Sequence, residues 1–84
     1  MTKLEKTVAY FQESAERDWK LAQKLFLTKD YAYSLFFCHL ALEKLLKSII
    51  VKKTDKAAPF IHDLVKLAEL TEIPVDKETV FSLN

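Results

Sequence analysis

The run Tyr31-Ala32-Tyr33-Ser34-Leu35-Phe36-Phe37-Cys38-His39-Leu40-Ala41-Leu42-Glu43-Lys44-Leu45-Leu46-Lys47, continued by Ser48-Ile49-Ile50-Val51-Lys52, decides the fold of this chain. Leu35, Cys38, Leu42, Leu45 and Ile49 recur at alternating steps of three and four, which marks one face of an α-helix. Phe36, Phe37, Leu40, Ala41 and Ile50 fill much of the remaining circumference. A helix that is apolar on most sides must be covered on most sides. The pattern therefore predicts a central helix from about 31 to 52, with part of its cover expected from a second subunit. Gly is absent and Pro occurs only at 59 and 74, which disfavours hairpin turns that need positive φ.

Upstream, Leu4, Val8, Phe11, Ala15, Trp19, Ala22 and Phe26 form a single apolar stripe with charged and amide residues between them. This predicts an amphipathic helix over roughly 3–27. Leu27-Thr28-Lys29-Asp30 is the turn, with Thr28 or Asp30 placed to accept the first amides of the central helix. Downstream, Lys53 to Ala58 reads as a mobile polar loop, and Pro59 suits the start of a short helix carrying Ile61, Leu64, Val65 and Ala68 inward. Pro74 interrupts again, and Asp76 can cap a last turn through Phe81. The expected architecture is all-α: an up-and-down antiparallel bundle of two long helices plus one or two short ones. Val80, Phe81 and Leu83 end the chain on apolar residues without a cap. That ending suggests a chain stopped before its final helix, or one that finishes its core against a partner.

Eighty-four residues allow one domain, spanning 1–84. A chain this short buries only a little over ~60% of its unfolded surface, so oligomerisation is the expected aid to stability. Cys38 is the only cysteine; within an apolar run it reads as a buried thiol in a reducing compartment. The apolar stretch from Leu35 to Leu42 is broken by His39 and followed by Glu43 and Lys44, too short and polar to cross a bilayer. The N-terminus has no apolar signal core, so the cytoplasm is the expected location and no membrane the expected contact. Thirteen basic and 12 acidic residues leave a net charge of +1, without an overall drive toward nucleic acid. Lys44, Lys47, Lys52, Lys53 and Lys56 nevertheless cluster. They read either as a phosphate-binding patch or, by preference, as cations at the negative end of a helix.

Tyr31 to Phe36, Cys38 to Lys47 and Pro59-Phe60-Ile61-His62-Asp63-Leu64, with Trp19, Ala22 and Leu25 upstream, together resemble the HEPN family of small helical domains. Ala41, Glu43, Lys44, Lys47, His62, Asp63 and Leu64 match the family's usual run, whereas His39 and Leu40 stand where glutamines are common. The resemblance implies an up-and-down bundle, often a homodimer, with a small nucleotidyltransferase, a nucleotide or RNA as partners in toxin–antitoxin pairs. Catalytic members are similar to one another in an Arg followed after four to six residues by His. RNA cleavage wants a cation on the phosphate and an imidazole to move protons. Arg17 is the sole arginine here, and neither His39 nor His62 lies at that distance from it.

No catalytic residue, metal ligand set or cofactor is therefore assigned within this sequence. His39, Glu43 and Lys47 fall on one helix face at steps of four. They read as a base with its orienting carboxylate, as half a metal site, or, preferred, as a surface ion ladder. Trp19, Tyr31, Glu43, Lys44, His62 and Asp63 are assigned as structural motif residues: Trp19 in the core, Asp63 in the first turn of the third helix, His62 reaching the second. Lys44, Lys47, Lys52 and Lys53 are the candidates for a nucleotide or RNA phosphate. The leading expectation is a non-catalytic nucleotide-, RNA- or partner-binding module. The alternatives are a metal-independent ribonuclease with its Arg and His beyond residue 84, and a structural helical adaptor.

Overall fold

The structure, a computed structural model, describes residues 2–71; the expected Asp76 cap and the apolar ending at Val80, Phe81 and Leu83 lie outside the described residues. It contains α1 (Lys3–Leu27), α2 (Tyr31–Thr54) and α3 (Leu64–Thr71), with no strand among the described residues. The expected all-α bundle is what forms. No described helix is long and apolar enough to cross a membrane.

Helix α1 begins with a capping box: Thr2 Oγ1 accepts from the Glu5 amide at 3.1 Å and Glu5 Oε2 accepts from the Thr2 amide at 3.3 Å. It ends in a Schellman motif, in which the Asp30 amide donates to the Leu25 carbonyl at 2.8 Å and the Lys29 amide to that of Phe26 at 3.0 Å. Lys29 takes the left-handed position, φ 66°, that glycine usually fills. The turn thus closes α1 rather than capping α2. Thr28 turns its hydroxyl back to the Leu25 carbonyl, and Asp30 opens α2 without a side-chain hydrogen bond.

Ser34 donates to the Ala22 carbonyl at 2.8 Å, and Lys44 reaches Ser14 and Asp18, so α1 and α2 run antiparallel. Their seam is made of small residues at sevenfold spacing: Val8, Ala15 and Ala22 on α1, with Ser34, Ala41 and Ser48 on α2, all buried. Small side chains let the two backbones approach, and the large apolar residues are displaced to the flanks. This corrects two expectations. Trp19 is 51% exposed rather than core, and Leu35, foremost on the predicted central stripe, is 70% exposed. Cys38 is half-buried rather than buried.

Helix α2 continues to Thr54, whose hydroxyl bonds the Ile50 carbonyl at 2.8 Å, so Lys53 and Thr54 belong to the helix rather than to the loop. Asp55 stops it in the left-handed region. The third helix starts at Leu64, not at Pro59. Ala58 would be a poor cap for a helix starting at Pro59, whereas Asp63 Oδ1 accepts from the amides of Val65 at 2.9 Å and Lys66 at 3.4 Å. Leu64 and Leu67 of α3 then pack on Leu46 and Ile50 of α2, with Leu42 and Ile61 at the margin. Lys53 Nζ donates to the Thr71 carbonyl at 2.9 Å, tying the end of α3 to α2.

Candidate functional site

The polar residues of the motif stretch turn inward. Glu43 and Lys47, one turn apart on α2, are 6% and 8% exposed. Lys47 Nζ lies 3.3 Å from Glu43 Oε2, and His62 Nδ1 lies 3.0 Å from the same oxygen. The expected surface ladder is thus a buried pair. The chain returns over this side of α2, packing Leu64 and Leu67 on Leu46 and Ile50, and brings His62 across to Glu43, as expected from the sequence. His62 itself keeps its side chain 80% exposed, so it closes the cluster from outside. His39 does not join: it lies half-buried on α2, away from the Glu43–Lys47–His62 contacts.

Lys44 points the other way around α2, toward α1. Its ammonium donates to Asp18 Oδ2 at 2.6 Å and Ser14 Oγ at 2.7 Å, in a partly buried site. Asp18 and Ser14 were not legible as partners, because they sit 26 and 30 residues from Lys44 and nothing local signals the pairing. Of the four lysines assigned to phosphate, Lys44 and Lys47 are therefore held in ion pairs within the bundle. Lys52 and Lys53 are exposed at the end of α2, with Lys53 also bonded to Thr71. Among the described residues no buried side-chain nitrogen or oxygen lacks a partner. None of the described His, Cys, Asp or Glu residues gather in a group of three or more that could hold a metal ion. Arg17 is exposed on α1.

Beside the helix seam the bundle leaves a mainly apolar groove open. A groove of about 730 Å³ runs between α1 and α2, walled by Ala15 and Trp19 on one side and Leu35, Cys38, Leu42 and Leu45 on the other. A second hollow of about 390 Å³ shares Trp19 and Cys38 and extends toward Phe26 and Leu27. The two form one trough along the helix pair. At its end Tyr31 packs edge-on against Phe26, ring centroids 5.4 Å apart. The polar groups lining the larger groove are Gln12 and Glu16, a poor set for a phosphate and a good one for apolar side chains.

The model of one family, described as HEPN domain, matches residues 8–80 of this chain. The chain belongs to the HEPN domain family. No curated protein and no solved structure matches it. In this HEPN domain the motif positions Glu43, Lys44 and His62 hold one element to another, Asp63 caps α3, and Lys47 pairs with Glu43 within α2. Their spacing signalled the fold correctly. Their chemistry is spent inside it, and large apolar side chains that the small-residue seam expels, Trp19 and Leu35 among them, stand exposed beside the groove.

Proposed function

We propose that this HEPN domain acts by binding and assembly, not by catalysis, with the apolar trough between α1 and α2 as its main contact surface. The observation that carries the reading is the division of labour just described. Asp18, Glu43, Lys44 and Lys47 pair with one another, while Trp19, Leu35 and Leu45 stay open beside a groove without a charged cluster. Monomeric soluble proteins rarely expose a contiguous apolar patch that has no use in recognition.

Contact with a nucleotide or RNA belongs to the same proposal and falls to Lys52 and Lys53, the two exposed members of the lysine set. To meet a phosphate, Lys47 would have to leave the buried Glu43 carboxylate, at a cost of several kcal/mol, and Lys44 the partly buried Asp18. Pairing with a small nucleotidyltransferase in a toxin–antitoxin system, and a cytoplasmic setting, rest on the family resemblance and on a single thiol at Cys38.

The test is a titration of a labelled single-stranded RNA oligonucleotide at several salt concentrations, followed by electrophoresis of the recovered RNA. The proposal expects salt-dependent binding that weakens in Lys52→Glu, Lys53→Gln, with intact RNA. RNA cleaved by this chain overturns the non-catalytic reading; binding indifferent to the lysines removes their role.

A further inference from the structure

We propose that the return segment between α2 and α3 is a processing site, cut between Phe60 and Ile61 by an endopeptidase with an apolar primary pocket, and that the cut unlocks α3.

Distance keeps the segment stretched. Helix α2 runs on to Thr54 and stops at Asp55, while His62 reaches back to Glu43. Twelve helical steps separate Glu43 from Asp55, about 18 Å at the rise of an α-helix. Residues 56–62 span at most about 23–25 Å when fully extended, so little slack is left. No backbone amide or carbonyl of 56–62 pairs with another backbone group among the described residues. The segment is held at its ends instead, by the Asp55 amide on the Val51 carbonyl and by the His62 contact with the Asp63 cap behind it. Between these anchors the chain bends at Phe60, whose side chain is fully exposed.

A protein cleft that takes an extended peptide reads its backbone first and alternate side chains second. Helical backbone cannot be read in this way until it opens. Every other described aromatic residue lies inside α1 or α2; Phe60 alone lies outside a helix. An enzyme has one bend to straighten here, against several turns of helix elsewhere.

The residues before Phe60 suit such a cleft. In strand pairing, alternate residues turn both backbone groups to the same neighbour. Ala58 and Phe60 can therefore pair with the enzyme, while Pro59, which has no N–H to offer, faces away from it. Ala57 and Ala58 add no bulk. The Phe60 ring fills an apolar slot of the kind that selects aromatic residues before the cut. Water then breaks the C–N bond. Its oxygen joins the Phe60 carbonyl carbon and its two hydrogens end on the Ile61 nitrogen, leaving a carboxylate and an ammonium.

The new ammonium is what loosens α3. Ile61 packs at the margin of the cluster formed by Leu46, Ile50, Leu64 and Leu67, where a charge is unfavourable. The covalent tether to α2 is lost in the same step, and the eight residues of α3 are too few to hold a helix alone. Leu46 and Ile50 are thereby uncovered.

The native full chain, treated with a trace of chymotrypsin and followed by intact-mass spectrometry, tests the proposal. Among residues 2–71 the first cut should fall between Phe60 and Ile61. Cuts within α1 and α2 should be slower by on the order of 100-fold or more, since they wait for rare opening. Phe60→Ala should keep the native circular dichroism and slow the first cut by more than ~100-fold. Phe60→Tyr should keep the wild-type rate. Trypsin should still cut Phe60→Ala after Lys56, because the segment stays as open as before. On gel filtration the two pieces should separate, and the piece ending at Phe60 should bind the apolar dye ANS more than the intact chain does. A first cut within either long helix, or an unchanged rate in Phe60→Ala, overturns the site. So does a native chain left whole under conditions that cut the urea-unfolded chain. Pieces that co-elute and melt like the intact chain overturn the unlocking of α3.

Discussion

Replacing Glu43 by Leu should unfold most of what holds the second half of the bundle. Glu43 is the counter-ion of Lys47, with the two side chains 8% and 11% exposed, and it is also the anchor for His62. Removing the carboxylate leaves the Lys47 ammonium buried without a counter-charge, which costs about 3–5 kcal/mol where a partner is truly desolvated. An exposed pair at the same i, i+4 spacing would cost only ~0.3–0.5 kcal/mol. The lost His62 contact adds little, since the imidazole lies in water. At ~0.05–0.15 kcal/mol per residue a chain of this length has roughly 4–13 kcal/mol in all. Glu43→Leu should therefore lower the thermal midpoint by roughly 12 °C or more or leave the chain unfolded at room temperature.

The double variant Glu43→Leu, Lys47→Met removes both charges and should recover most of the loss, because an apolar pair of similar volume can replace a buried ion pair at small net cost. Urea melts of wild type, Glu43→Leu, Lys47→Met and the double variant, followed by circular dichroism, give the coupling directly. A Glu43→Leu cost below about 1 kcal/mol, or a double variant as unstable as the two single losses added, would refute the argument that this pair is buried and coupled.

Three further outcomes are expected. Asp63→Ala removes the acceptor for the Val65 and Lys66 amides and should lose about 1 kcal/mol by urea melt, whereas Asp63→Asn should keep nearly all of it. Lys29→Gly relieves a left-handed residue, φ 66°, and should raise stability by roughly 0.5–1 kcal/mol, the opposite sign to a glycine placed inside either long helix. Ser34→Ala deletes a buried bond between α2 and α1 and should cost about 1 kcal/mol, with faster amide exchange at that end of the helix pair.

The two long helices were legible in the sequence because hydrophobic period acts locally. The first helix was predicted at the bounds it has, and the second within two residues at its end. What misled was the assumption that the largest apolar residues mark the helix seam. Trp19 and Leu35 recur at the right steps, but Ala15, Ala22, Ser34, Ala41 and Ser48 recur at sevens and permit closer approach. Counting sevens among small residues would have found that seam. The reach of His62 to α2 followed from the motif. The burial of Glu43 and Lys47 did not, since it depends on tertiary packing, and the way the chain returns over α2 is set by a cap at Asp63 rather than by Pro59. The partners of Lys44 depend on the antiparallel register of α1 and α2, which no local pattern encodes.

Trp19 is the only tryptophan and it lines the trough, so its fluorescence reports on that surface without a label. Emission recorded against protein concentration should be that of a solvated indole in dilute solution and should shift to the blue as the face is covered. Emission of a fully buried indole at every concentration would contradict an open apolar face, and with it the proposal that this surface does the binding.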